Sequence, residues 1–212
     1  MKREILETLR KLGGDISRAK GASLYEDLLS VTFDTVLYAD FYGDFDICEL
    51  EEFYSENKAL FLSDKDAFSS KLLEKYFCLT DEGYDQKFWR AEMFTPFRSG
   101  TKDNEEWISE FGEDFFDKHM DLTEIRKITD DTQPDFLLLF ESYGCPDHYY
   151  ICLSDPNPEN PTVFGTDHEV FFREISNQGS LSDFLGNFFT KDEFLEIAFE
   201  TIEQEGFAED GD

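Results

Sequence analysis

The sequence predicts an α+β fold, an antiparallel β-meander packed with helices, and three observations carry that prediction. Pro134 to Ile175 contains three extended runs rich in aromatic and branched residues, separated by turn chemistry. Helical spacing of apolar residues recurs before and after them. The 24 Phe residues supply core material that disordered chains, poor in aromatics, do not have. A chain of 212 residues suits one domain. It divides into a helix-rich half over 1–130, the meander with C-terminal helices over 131–205, and a frayed acidic tail over 206–212.

Lys2 to Leu12 forms the first expected helix, because Ile5, Leu9 and Leu12 share one face and Gly13-Gly14 stops the run. Leu28 to Tyr38 is strand-like, with Val31, Phe33, Thr35, Val36 and Leu37 suited to a pleated surface. Helices are expected over Cys48 to Phe61 and over Asp64 to Leu79, where Phe68, Leu72 and Tyr76 recur every fourth residue. A third such segment, Tyr84 to Phe94, carries Phe88, Trp89 and Met93 and ends before Pro96. Asp103 to Asp117 interleaves seven acids with Trp107, Ile108, Phe111, Phe115 and Phe116, as a helix with one buried and one solvated face does. A shorter helix follows at Leu122 to Ile128.

The meander comes next. Phe136 to Tyr143 is the first strand, although Phe136, Leu139, Phe140 and Tyr143 also fit helical spacing. Gly144 to Asp147 turns the chain into a second strand, His148 to Ser154. The Pro-laden stretch Asp155 to Pro161 cannot donate a continuous ladder of hydrogen bonds, so the sheet pauses there. Thr162 to Ile175 resumes as strand, with Asp167-His168-Glu169 inside it. Short connections make neighbouring strands antiparallel, since parallel ones need a long crossover. Ser180 to Asp183 and Thr190 to Glu193 place an acid three residues after a hydroxyl, the signature of a capped helix start. In the second of these helices Phe194, Leu195, Ala198, Phe199 and Ile202 form one face.

The net charge of −30 is unevenly spread. Gly21 to Asn57 holds ten acids and no Lys or Arg, and Ile128 to Phe172 holds nine acids and no base. Met1 to Lys20 holds six bases against three acids. Such a surface keeps a protein soluble, attracts basic partners and repels nucleic acid, whose phosphates require Lys and Arg. No apolar run is long enough to span a membrane, and the charged first residues lack the apolar centre of a signal peptide. A cytoplasmic location follows as the expectation, with Cys48, Cys78, Cys145 and Cys152 as free thiols.

No catalytic constellation emerges. His168-Glu169 lacks the second His one helical turn on that a zinc-protease pair needs, because Phe172 occupies that position. Cys145, His148, Cys152 and His168 do not have zinc-finger spacing. Asp44-Phe45-Asp46 is not a calcium loop, and no Walker loop, dinucleotide fingerprint or nucleophile elbow is present. The 49 carboxylates make paired acids uninformative. No cofactor and no metal are expected, and His168 reads as a hydrogen-bonded structural residue.

The Gly turn at Gly144, the acidic end of the second strand and the late Asp167-His168-Glu169 before the capped Ser180 to Leu185 resemble the SUKH superfamily, the Smi/Knr-like proteins. That group contains bacterial toxin-immunity proteins and fungal regulators of cell-wall synthesis. The front of the chain departs from the group: it has no Leu-Pro, Tyr-containing helix and Asn-Gly-Gly turn, so the N-terminal half is an elaboration. The resemblance implies a non-enzymatic binder, an immunity protein that neutralises a basic, nuclease-type toxin by occluding its active site. An intracellular scaffold or regulator of wall synthesis is the alternative, and a hydrolase a distant third. Acids on the loop side of the meander, Asp147, Asp155, Glu159 and Asp167, are the expected partner-binding residues.

Overall fold

The computed structural model describes residues 2–79, 85–112, 120–142 and 147–204. Five antiparallel strands form one sheet in the sequence order β1 (Lys87–Phe94), β2 (Phe136–Ser142), β3 (His148–Cys152), β4 (Thr162–Thr166) and β5 (Ser176–Ser180). Among the described residues, α-helices span Lys2–Lys11 (α1), Leu24–Leu28 (α2), Leu50–Ser63 (α3), Lys65–Tyr76 (α4), Lys102–Phe111 (α5), Thr123–Arg126 (α6), Leu181–Leu185 (α7) and Lys191–Gln204 (α8). The α+β meander of the sequence prediction is the observed architecture.

The sheet is buried on both faces. Leu137, Tyr149, Ile151 and Val163 pack with Ile5 and Leu9 of α1, Leu28 of α2 and Phe184 of α7. Phe136, Tyr150, Cys152 and Phe164 pack on the other side with Trp107 of α5, Ile125 of α6 and Phe172. Double-sided burial explains why β2 is a continuous apolar run rather than an alternating one. A third cluster joins Phe53 and Phe61 of α3, Phe68 and Leu72 of α4, and Phe194 and Ala198 of α8. Caps set the helix starts. The Asp64 side chain accepts from the Ala67 amide at 3.0 Å, and Thr190 and Glu193 bond reciprocally to open α8.

Three expectations are corrected, and a fourth is described only in part. Tyr84 to Phe94 is not a helix: Lys87–Phe94 is strand β1, paired to β2, with Trp89 against Phe140 at 5.0 Å. Partnership with an apolar strand outweighs local helical spacing here. Leu28 to Tyr38 is not one strand: Leu28 ends α2, a turn follows at Leu29 and Ser30, and the rest joins the structure through single bridges, Asp15 to Thr32 and Leu37 to Lys87, and not through a ladder. The long third strand stops at Thr166. Asp167-His168-Glu169 forms a turn in which Asp167 Oδ1 accepts from the Glu169 amide at 2.7 Å, a local bond that competes with strand pairing. A 3₁₀ turn at Phe171–Arg173 follows, and β5, made of Ser, Asn, Gln and Gly, returns as an edge strand that strand propensity does not reveal. Finally, the helix expected over Asp103 to Asp117 is described only to Phe111, with 113–117 outside the described residues, as are Cys145 and the tail 206–212.

Candidate functional site

The segment after Leu37 builds an acidic face around one exposed aromatic. Asp40 is anchored through its amide to the Asn187 carbonyl at 2.9 Å. Its Oδ1 accepts from the amides of Tyr42 at 3.0 Å and Gly43 at 2.5 Å, and Gly43 closes the turn at φ +79°. A left-handed residue there favours glycine. Phe41 on one side of the turn packs inward on Phe184 at 5.1 Å, and Phe45 on the other packs on Phe189 at 4.9 Å. Tyr42 is left outside, 75% exposed.

Depressions lie on both sides of Tyr42. One, of about 360 Å³, is lined by Asp40, Asp44, Asp46, Asp85 and Lys87 among others. The second, of about 370 Å³, is lined by Thr166, Asp167, Val170 and Glu174 with the same Tyr42. Among the described residues, Lys87 is the one base lining either depression, and it is buried, with its pKa lowered chiefly by desolvation and Asp85 opposing the shift. The rim is therefore acidic. The two base-free stretches of the sequence meet here, one supplying Asp40 to Asp46 and the other Asp167.

The four acids expected to bind a partner have different placements. Asp155 is buried, and its two oxygens accept from the amides of Asn157 at 2.7 Å and Thr162 at 2.8 Å, closing the Pro-rich loop. Glu159 is exposed but lines another depression beside Lys2, Arg3 and Lys20. Asp147 is buried within a cluster of imidazoles. Only Asp167 lies on the acidic face. Asp147 and Asp155 are thus buried side chains, unlike Glu159.

Asp147 organises the turn after β4. Its Oδ1 accepts from the His148 ring and from the His168 amide, both at 2.8 Å, and its Oδ2 faces Nδ1 of His168. That last contact, more than any other, raises the His168 pKa above the usual imidazole value, with burial opposing and Asp167 and Glu169 adding to the rise. Glu141 of β2 approaches the other nitrogen of His148 at 3.8 Å. The His148 ring lies roughly parallel to Tyr150 and Phe171, with centroids at 6.2 and 6.0 Å. Phe171 sits at φ +44°, a strained value for a bulky residue. Of the Cys–His quartet considered from sequence, His148 and His168 converge. Cys152 lies at the far end of β3, buried, with its sulfur 3.2 Å from Ser154 Oγ. Phe172 is 2% exposed and part of the core, as its place in the failed zinc-protease spacing allows.

Sequence reasoning missed Tyr42. The available signal was Asp40-Phe41-Tyr42-Gly43, an Asp-to-Gly turn that places one of two adjacent aromatics outside. No protein-family model matches this sequence, no curated protein is significantly similar to it, and no solved structure matches its fold.

Proposed function

We propose that the chain is a non-enzymatic binding protein that docks a basic protein partner on the Tyr42 face, in the manner of an immunity protein covering the groove of a nuclease-type toxin. One observation carries the reading: the two base-free acidic stretches, far apart in sequence, converge on either side of a 75% exposed Tyr. Exposed aromatics in a desolvating setting supply most binding energy, whereas surrounding charges act on encounter rate and partner choice. A toxin that grips nucleic acid presents Lys and Arg, so an acidic face occupies the same groove and excludes the substrate. The SUKH resemblance supports a binder, and the lack of a catalytic motif in the sequence supports its being non-enzymatic.

Co-expression with a toxin domain encoded beside this gene tests the proposal. Protection by the native chain and loss of protection with Tyr42→Ala are expected. Protection that survives Tyr42→Ala together with Asp44→Asn, Asp46→Asn and Asp167→Asn places the contact elsewhere. A gene with no toxin partner, whose deletion alters wall synthesis, transfers the reading to a cell-wall regulator.

A further inference from the structure

We propose that Asp147, Asp167 and His168 form a binding site for a transition-metal dication, with zinc the best match. The three residues each offer one ligand atom, and those atoms lie within 4.8 Å of one another. Asp147 separates this group from an ordinary surface cluster of acids. It is 5% exposed, and its partners are two imidazoles and one backbone amide. Other deeply buried acids are matched differently. Asp27 pairs with Lys2 at 2.7 Å, and Asp155 holds two backbone amides. Asp147 thus brings a buried carboxylate against imidazoles, groups that take up a proton or a metal ion.

The two oxygens of Asp147 have separate tasks. Oδ1 is held by the His148 ring and the His168 amide, which leaves Oδ2 directed at Nδ1 of His168. His148 is itself flanked by Phe171 and Tyr150. Hydrogen bonding of this kind orients the ligands of metal sites.

The spacing suits a small ion. Bonds of about 2.0–2.2 Å in a tetrahedral zinc site separate neighbouring ligand atoms by about 3.4 Å. His168 Nδ1 lies 3.8 Å from Asp167 Oδ1. The His168–Asp147 contact is tighter and has to open, which a small rotation of the 61% exposed His168 side chain permits. One imidazole with two carboxylates favours zinc or a similar late first-row ion over magnesium or calcium, which take all-oxygen sets. Three protein ligands leave a fourth position on the exposed side of His168, for water or a partner's side chain.

Calorimetric titration of the full chain, purified without a tag and stripped with chelator, tests the site with zinc chloride as the probe. One ion per chain is expected, with affinity at least tenfold weaker in His168→Ala and in Asp167→Asn, and unchanged in Glu105→Gln, which neutralises an exposed acid on α5. Asp147 also holds the His148 ring and the His168 amide, so the exposed His168 gives the cleaner test. Equal affinity in His168→Ala would mean adventitious ions on an acidic surface only and overturns the proposal, as does the absence of one-to-one binding. Cobalt gives an independent readout: intense visible bands of a tetrahedral site in the native chain, lost in His168→Ala, support it. The pale spectrum of octahedral cobalt in both proteins overturns it.

Discussion

The two ends of strand β3 carry buried aspartates that fold into opposite kinds of structure. At the C-terminal end both Asp155 oxygens are taken by backbone amides, from Asn157 and Thr162, which change neither charge nor position with solution conditions. Its neighbourhood is mixed in sign, since Glu159 shares a depression with Lys2, Arg3 and Lys20. At the N-terminal end Asp147 is held by two imidazoles, which exchange protons and bind metals. The next acid along that turn, Asp167, opens onto the acidic Tyr42 face. Burial alone does not distinguish a structural acid from one with chemistry; the identity of the donors does.

The largest effect should come at the closed end. Asp155→Ala leaves two loop amides without their acceptor, and a loss of about 3 kcal/mol in unfolding free energy is expected from urea titration. That loss should be the same with and without zinc. A loss under about 1 kcal/mol would break the contrast, because Asp155 would then not be closing the loop.

Binding should map to the open end. Tyr42→Ala should weaken a basic partner by about 2 kcal/mol, roughly thirtyfold, mainly through faster dissociation in surface-plasmon measurements. Neutralising Asp44, Asp46 and Asp167 together should slow association about tenfold in low salt and flatten its salt dependence, with the fold intact. Glu159→Gln, next to the basic residues, should leave the association rate unchanged. An equal effect from Glu159→Gln would show that overall charge, and not the Tyr42 face, governs the encounter.

Asp147→Asn sharpens the comparison further. It should lower stability by about 1 kcal/mol in chelator, less than Asp155→Ala, because the exposed His168 can turn its ring to water. Thermal melts should also show native protein stabilised by zinc and the variant insensitive to it.

The smallest effect is on pH dependence in metal-free protein. The folded-state pKa of His168 is raised, principally by its bond to Asp147. Its contribution is therefore complete below the unfolded imidazole value near 6.5 and is lost as pH rises through the higher folded value. The ring is largely exposed, so solvent screening keeps the change below about 1 kcal/mol. Melting temperature should fall slightly as pH rises above neutrality, and His168→Gln should remove that slope. A slope of the opposite sign would mean that the imidazole is held neutral by the fold.

The meander and most helices were legible because their signals are local. Double-sided burial made β2 a solid apolar run, and Phe68, Leu72 and Tyr76 spelled one helix face that is buried as expected. The hydroxyl-to-acid spacings at Ser180 and Thr190 named two helix starts through bonds spanning three residues. Where local preference and tertiary partnership disagree, the sequence misleads. Trp89 and Met93 look helical until β2 offers β1 a ladder, and the polar β5 is a strand only because β4 has a free edge.

The site divides in the same way. Sequence alone determined that acids would dominate two long stretches and that aromatics would be plentiful, but it put Asp167 and His168 inside a strand and not in the turn that follows β4. It did not distinguish exposed acids from buried ones, because Asp147, Asp155, Glu159 and Asp167 are alike as letters. Only the tertiary structure decided that Asp155 closes a loop and that His148 and His168 meet on Asp147 across the gap between β3 and the turn after β4. It also brought Tyr42, more than a hundred residues earlier in the chain, beside Asp167. Convergence of that kind depends on strand pairing and core packing summed over the whole chain, and no short stretch of residues encodes it.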